Sequence, residues 1–154
     1  MSFVLDPRLE ADSVFIADGP LSQLRLMDDA RFPWLVLVPR VPGATEWIDL
    51  DGASQRLLLA EINRAGALLR QHFAPIDKLN IGALGNIVRQ LHVHVVGRRE
   101  GDAAWPGPVW GAGARRSYGG DAPDIASALA RALDDLPPKA LPPAARQPSV
   151  DPRR

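Results

Sequence analysis

The sequence predicts an α+β fold, in which an antiparallel sheet packs with one main helix. Short apolar or alternating segments, each closed by a turn signal, are typical of strands. One long segment, residues 51–73, instead carries apolar residues at helical spacing. The last two strand segments are separated only by Gly85-Asn86, and so short a connection joins antiparallel neighbours.

Three strands are expected in the first part of the chain. Ser13–Ala17 is predicted as a short strand that ends at the turn Asp18-Gly19-Pro20. Ser22–Met27 alternates polar and apolar residues, which favours a second strand that pairs with the first as a hairpin. Trp34–Val38 is entirely apolar and is followed by Pro39, which predicts a third strand that ends there.

The main helix is expected over Asp51–Phe73. Asp51 is a suitable N-cap because its carboxylate can accept a hydrogen bond from the first turn. The apolar side chains of this segment fall on one helical face, and they are Leu58, Ile62, Ala65, Leu69 and Phe73. Two strands are predicted after the helix, Lys78–Leu84 and Ile87–Val96, with the turn Gly85-Asn86 between them.

The chain changes in character after Arg98. Gly101–Gly113 contains too much proline and glycine for regular structure, whereas Pro123–Leu133 is predicted as a second, shorter helix with proline in its first turn. Residues 136–154 are rich in proline and have little to bury. We therefore expect one domain over residues 1–135 and a tail over residues 136–154 that is disordered or draped on the surface.

The composition excludes several classes of protein. A chain of 154 residues is expected to form one domain, and 18 basic residues balance 18 acidic ones, so no global field favours nucleic acid or membrane as a partner. The absence of cysteine excludes disulfides and thiolate chemistry. The N-terminus lacks a basic start followed by a long apolar run, which predicts neither a signal peptide nor a spanning helix. We expect a cytoplasmic protein.

The segment Gln90-Leu91-His92-Val93-His94-Val95-Val96 is the strongest indication of a site. Two of the three histidines lie two residues apart in a β-branched run. On a strand, Gln90, His92 and His94 would share one face, and buried polar groups need partners. Adjacent imidazoles are compatible with nucleophilic or general-base catalysis, with metal ligation, or with a structural contact. The spacing alone leaves all three open.

A longer run of residues carries a resemblance. Residues 85–98, Gly-Asn-Ile-Val-Arg-Gln-Leu-His-Val-His-Val-Val-Gly-Arg, resemble the signature of the histidine triad superfamily, which alternates three histidines with apolar residues. The strand Trp34-Leu-Val-Leu-Val-Pro-Arg40, the central helix and Trp105-Pro106 extend the resemblance, more weakly, over about residues 14–110. It implies a five-stranded antiparallel sheet with the long helix packed on it, commonly paired into a homodimer. It also implies a nucleotide hydrolase or transferase without a metal or a cofactor.

The resemblance implies a role for each motif residue. His92 matches the middle histidine, the nucleophile that attacks the α-phosphorus of a nucleoside phosphate and forms a covalent nucleotidyl intermediate. His94 matches the third histidine, which hydrogen-bonds phosphate oxygens in the transition state. The backbone carbonyl of Gln90 would orient the His92 ring. The implied substrates are dinucleoside polyphosphates or nucleoside phosphoramidates, with the purine base that is usual in the family.

Two positions depart from the pattern of the family. Gln90 stands where the first histidine is expected, and glutamine cannot carry a proton through pH 7. If the leaving group is protonated from this position, turnover should be slow or restricted to good leaving groups. Trp34 stands where many members have a histidine, which suggests a smaller or more apolar pocket mouth.

Four further residues are candidates for binding the substrate. Asp28 would meet ribose hydroxyls, although a turn aspartate explains it as well. Asn86 would contact the phosphate chain, or it would simply suit a hairpin turn. Asn80 is disfavoured inside a strand and would either reach the site or bond a strand edge. Trp105, together with Trp110, would cover the pocket or stack on a base.

Two other functions remain open at the sequence level. A cupin-like metal barrel also places His-x-His on a strand, but no histidine follows His94 and the long helix fits a small barrel badly. A nucleotide-binding protein without turnover is compatible with Gln90. The third histidine, His72, is expected to pack or to cap the long helix rather than to act in catalysis.

Overall fold

Five strands form one antiparallel sheet in the computed structural model, which describes residues 2–137. In chain order they are β1 (Ser13–Asp18), β2 (Ser22–Met27), β3 (Trp34–Pro39), β4 (Lys78–Gly82) and β5 (Val93–Arg98). Their order across the sheet is β1-β2-β3-β5-β4, and every neighbouring pair is antiparallel. The helices are α1 (Pro7–Asp12), α2 (Gly52–His72) and α3 (Ala122–Asp135). The predicted α+β class is confirmed.

The long helix α2 covers one face of the sheet. Asp51 caps it, because its carboxylate accepts a hydrogen bond from the Ser54 N–H at 2.7 Å. The main core lies between this helix, α3 and the sheet, and its buried members include Leu24, Leu26, Leu35, Leu37, Leu58, Leu69, Val93, Val95 and Leu129. The apolar side of the motif strand is therefore covered by the helix. None of the helices within residues 2–137 is long and apolar enough to cross a bilayer.

The opposite face of the sheet carries a second apolar cluster and the polar side of the motif. Its buried members are Leu9, Phe32, Trp34, Val36, Val38, Val96 and Val109. Helix α1, which supplies Leu9, was not among the predicted elements. Its start signal is present, since Asp6 accepts a hydrogen bond from the Arg8 N–H at 2.9 Å and Pro7 opens the helix.

Strands β4 and β5 are the antiparallel neighbours that were predicted, but residues 83–92 between them form a loop, so the tight turn predicted at Gly85-Asn86 is wrong. Backbone groups of the loop bond to segments outside the sheet, which satisfies them without a strand ladder. The Leu91 N–H donates to the carbonyl of Ala44 at 3.0 Å, and the guanidinium of an arginine in α1 donates to the carbonyl of Ile87 at 2.9 Å. The first polar residues of the motif therefore precede β5 rather than lie on it.

Helix α3 is slightly longer than the predicted Pro123–Leu133 and packs against β1 and α2. Leu136, the first residue of the expected tail, is buried in the main core. The folded part therefore extends past the predicted boundary, because this side chain fills an apolar position beyond α3. Residues 138–154 of the expected tail lie outside the described residues.

Candidate active site

A cavity of about 460 Å³ opens on the second face of the sheet and is lined by both motif histidines. Its other walls come from α1, the 83–92 loop and the segment after β5. Apolar side chains from these elements and from β2 dominate the lining; among them are Leu9, Met27, Val88 and Val109. A concave site of this kind, with few polar groups at one place, suits a small organic ligand.

His92 lies directly before β5 and is 7% exposed. Its Nδ1 atom is 2.6 Å from the backbone carbonyl oxygen of Gln90, the contact that the family resemblance implies. Because a carbonyl oxygen only accepts, Nδ1 carries the proton, and in the neutral ring the free lone pair is therefore on Nε2. His92 is thus held in the tautomer that a nucleophile or a general base requires.

His94 is the second residue of β5 and is 5% exposed. The indole Nε1–H of Trp34 donates a hydrogen bond to its Nδ1 atom at 3.0 Å. Burial, with a smaller contribution from the neighbouring His92, lowers the pKa of His94 from 6.5 to about 3. The neutral ring therefore carries its proton on Nε2, and its centroid lies 4.9 Å from that of His92.

Two ion pairs border the cavity. Arg31 contacts Asp29 at 2.6 Å, and the carboxylate is almost completely buried. Burial opposes the ionisation of Asp29, but hydrogen bonds from Arg31 and from the backbone of Arg116 together outweigh it and lower the pKa of this carboxyl. Arg115 pairs with Asp12 at 2.8 Å on the more exposed side. No sequence motif indicated these four residues, because Asp12 and Arg115 are distant in the chain, while Asp29 and Arg31 lie two residues apart in a loop.

The Gln90 side chain lies outside the cavity lining and holds the N-terminal segment instead. Its Oε1 atom accepts from the Asp6 N–H and its Nε2 donates to the Val4 carbonyl, both at 2.8 Å. The side-chain amide thus bonds one backbone N–H and one backbone carbonyl, as the backbone of a neighbouring strand would. The structure therefore does not bring the Gln90 side chain together with the two histidines, although it does bring the Gln90 carbonyl to His92.

Of the four predicted substrate-binding residues, the structure brings only Asn86 to the cavity. The carboxylate of Asp28 accepts from the Ser117 hydroxyl at 2.6 Å and from the Tyr118 N–H at 2.8 Å. It thereby fixes the chain ahead of α3 and does not line the cavity. These two hydrogen bonds to the segment ahead of α3, rather than a ribose, account for an aspartate directly after β2.

Asn80 and Trp105 also lie outside the cavity lining, because both contact the buried Arg98. The Oδ1 atom of Asn80 accepts from the guanidinium at 2.8 Å, and the ring centre of Trp105 is 5.6 Å from its central carbon. Trp110, by contrast, does line the cavity. His72 is exposed at the end of α2, with its ring against that of its neighbour Phe73.

Metal ligation needs a third ligand beside the two motif histidines. Within residues 2–137, no three histidine, aspartate or glutamate side chains are grouped closely enough to hold a metal ion. The polar groups that the structure does gather at the histidines are the two indoles, the amide of Asn86 and the two ion pairs.

Comparisons with known proteins identify the family of this chain. The profile of the HIT domain matches residues 8–101, which include β1 to β5 and both motif histidines. A comparison with curated proteins finds no match.

Solved structures of histidine triad proteins share the fold of this chain. One from Bradyrhizobium japonicum is 46% identical, with a TM-score of 0.81 over 86% of this chain and 99% of that chain. One from Sinorhizobium meliloti is also 46% identical, with a TM-score of 0.80 over 87% and 97%. A third, from Marinobacter aquaeolei, is 38% identical, with a TM-score of 0.81 over 86% and 96%. The chain therefore belongs to the histidine triad (HIT) family, which is part of a superfamily of nucleotide hydrolases and transferases.

Proposed function

We propose that this chain is a nucleotide hydrolase or transferase that acts at a nucleoside α-phosphate through a covalent intermediate on His92. The observation that carries the proposal is the 2.6 Å contact between His92 Nδ1 and the Gln90 carbonyl, because in the neutral ring it places the proton on Nδ1 and the lone pair on Nε2, and this ring lines the cavity. His94 lines the same cavity with a proton on Nε2. The two rings thus supply a nucleophile and a hydrogen-bond donor side by side.

In the first step, the Nε2 lone pair of His92 attacks the α-phosphorus. A P–N bond forms while the bond from phosphorus to the leaving group breaks, and the leaving group takes the electron pair. The ring becomes cationic with its proton still on Nδ1, which strengthens the hydrogen bond to the Gln90 carbonyl. Negative charge that develops on the phosphoryl oxygens is stabilised by donation from the Nε2–H of His94.

In the second step, water attacks the same phosphorus. A P–O bond forms, the P–N bond breaks, and its electron pair returns to Nε2 of His92. The proton lost by the water passes to the solvent, and a nucleoside monophosphate leaves the cavity. If an alcohol or a phosphate replaces water, the same cycle transfers the nucleotidyl group.

The polar groups of the site favour phosphoanhydride substrates. Asp29 is ionised in its pair with Arg31, His94 is neutral, and the Gln90 side chain is engaged elsewhere. A phosphate leaving group needs no proton at pH 7, whereas an amine does. We therefore propose dinucleoside polyphosphates ahead of nucleoside phosphoramidates as substrates, with a purine base against the apolar side of the cavity.

We also propose the oligomeric state, the partners and the location of the enzyme. The family resemblance supports a homodimer that needs neither a metal nor a cofactor. Balanced charge, with 18 basic and 18 acidic residues, supports the absence of nucleic-acid and membrane partners. The lack of cysteine is compatible with the cytoplasm as its location.

Intact-protein mass spectrometry tests the covalent mechanism. The protein is mixed briefly with a diadenosine polyphosphate in the presence of a chelator, and the mass is recorded before and after mild acid. We expect an acid-labile nucleoside monophosphate adduct that His92→Ala abolishes. His72→Ala is the matched control, because this histidine is exposed and does not line the cavity.

Each other outcome separates this proposal from its alternatives. Thermal stabilisation by the nucleotide without adduct or product would indicate a nucleotide-binding protein without turnover. Turnover that appears only when a divalent metal replaces the chelator would contradict the metal-independent mechanism. An adduct that persists in His92→Ala would show that another residue is the nucleophile.

A further inference from the structure

Two tryptophan rings meet the edge of His94, but only one of them bonds to it. The ring centroid of Trp34 is 5.5 Å from that of His94, and the centroid of Trp110 is 5.6 Å away. The Nε1–H of Trp34 donates to His94 Nδ1 at 3.0 Å. The Nε1 atom of Trp110 is buried and has no hydrogen-bond partner within residues 2–137. The two tryptophan rings are therefore almost equally far from His94, but only Trp34 donates a hydrogen bond to it.

The Trp34 indole is held in place on several sides. It opens β3 directly opposite Val96 of β5 and is 7% exposed. Phe32 packs against it at a centroid distance of 6.4 Å, and Trp110 packs at 6.2 Å, both edge to face. Because neighbouring rings fix the indole, its N–H points at His94 with little freedom to turn away.

We propose that Trp34 is a positioning residue, whose indole N–H holds His94 as the neutral Nε2–H tautomer so that His94 permanently offers a hydrogen bond to the cavity. A donor on Nδ1 disfavours both other forms of the ring, because the Nδ1–H tautomer and the imidazolium each carry a proton where the indole N–H points. The catalytic meaning of this arrangement rests on the proposed function. The hydrogen bond itself does not.

The tautomer matters because the two histidines need opposite forms. His92 has its proton on Nδ1 and a lone pair on Nε2, whereas His94 has the reverse. If His94 adopted the form of His92, a second lone pair would face the phosphoryl oxygens and repel them. The titratable and charged groups around the cavity that could disturb this arrangement are His92, Asp12, Asp29, Arg31 and Arg115.

Nuclear magnetic resonance on the wild-type protein tests the assignment without any substrate. The chain has only three histidines and four tryptophans, so their side-chain nitrogens can be assigned. We expect ¹⁵N shifts of a pure Nε2–H tautomer for His94 that stay constant from about pH 8 to about pH 5. We also expect a scalar coupling across the hydrogen bond between Trp34 Nε1 and His94 Nδ1. A proton on His94 Nδ1, or titration within this range, would overturn the proposal.

Two matched variants test whether the hydrogen bond from Trp34 sets the tautomer of His94. Trp34→Phe keeps an aromatic ring but removes the N–H, and Trp110→Phe makes the same change on the other ring that meets His94. We expect Trp34→Phe to give mixed tautomers of His94 and to favour its protonation about tenfold, the effect of one ordinary hydrogen bond. Trp110→Phe should leave the tautomer unchanged. Equal effects of both variants, or none from Trp34→Phe, would contradict the assignment.

Kinetics connect the tautomer to the proposed function. With a dinucleoside polyphosphate, Trp34→Phe should lower kcat about tenfold with little change in KM, less than the 10²–10³-fold loss typical when an oxyanion donor is removed. An unchanged kcat despite mixed tautomers would show that the donor has no catalytic role. If the wild type has the expected tautomer but turns over no nucleotide, the proposed function fails and the Trp34–His94 assignment stands.

Discussion

At the scale of the residue, His92 and His94 have opposite hydrogen-bond partners although they lie two positions apart. His92 donates to a backbone carbonyl, whereas His94 accepts from an indole N–H. Each partner sets one tautomer, so two chemically identical side chains become an acceptor and a donor toward one cavity. This asymmetry predicts unequal consequences for their replacement.

We expect His92→Ala to abolish turnover and His94→Ala to reduce it. The first change removes the nucleophile, so no covalent intermediate can form. The second removes one donor to the developing charge and should lower kcat by about 10²–10³-fold, with weaker binding as well. Single-turnover kinetics with a dinucleoside polyphosphate measures both. Equally mild losses in the two variants would contradict the assigned roles.

The buried His94 should also make stability depend on pH. Its pKa is about 3 in the folded protein against 6.5 ordinarily, so between these values the unfolded chain binds one proton more. Its contribution to folding is complete above about pH 6.5 and is lost as the pH falls towards 3. The expected loss of unfolding free energy from about pH 7 to about pH 5 is about 2 kcal/mol.

Urea unfolding at several pH values measures this slope. His94→Gln should flatten it, because glutamine does not titrate and can still accept from the Trp34 indole. His72→Gln is the matched control at an exposed position and should leave the slope unchanged. An identical slope in wild type and His94→Gln would assign the acid sensitivity to other groups.

At the scale of the element, the N-terminal segment is a wall of the site that depends on the 83–92 loop. Gln90 bonds the backbone of Val4 and Asp6, and Arg8 of α1 bonds the carbonyl of Ile87. Leu9 of α1 lines the cavity beyond these contacts. The side chain of Gln90 therefore helps to position α1. The residues around Gln90 in the sequence did not indicate this role.

Gln90→Ala should loosen this wall. We expect a loss of stability of about 1–2 kcal/mol for two hydrogen bonds, and a rise in KM larger than any fall in kcat. Hydrogen exchange should show faster exchange in residues 4–12. Gln90→His should behave in the same way, because its side chain would also point away from the cavity. Faster turnover of poor leaving groups in Gln90→His would instead support a proton-delivery role at this position.

At the scale of the whole molecule, the two faces of one sheet have separate tasks. The face under α2 and α3 forms the main core, while the other face carries the second cluster and the cavity.

Strand β4 is at one edge of the sheet and pairs with no strand on its outer side within residues 2–137. Ile81 on this strand is 52% exposed. This edge is the surface we expect to form a homodimer.

Ile81→Asp tests the dimer. We expect the wild type to have the mass of two chains in light scattering coupled to size exclusion, and the variant to shift towards one chain, because a buried unpaired charge is costly. Ile48→Asp is the control, since Ile48 is 83% exposed in the short turn before α2. A monomeric wild type, or equal effects of both variants, would contradict this interface.

Local pattern was sufficient to predict the fold class, the long helix and the first three strands. Apolar spacing depends only on neighbours along the chain, which is why Asp51–Phe73 and Trp34–Val38 were predicted almost to the residue. The antiparallel pairing of β4 and β5 is confirmed, but the tight turn predicted at Gly85-Asn86 is wrong because segments far away in sequence satisfy the backbone of the 83–92 loop.

The sequence by itself determined the sheet, the helix that covers it and the presence of two adjacent imidazoles. Only the tertiary structure decided the hydrogen-bond partner of His94, because Trp34 lies 60 residues before His94 and no spacing rule relates them. The same holds for Gln90, whose side chain reaches residues more than 80 positions earlier. Periodicity assigns a residue to a face, but the partner that selects its tautomer or its direction is set by the packing of distant segments.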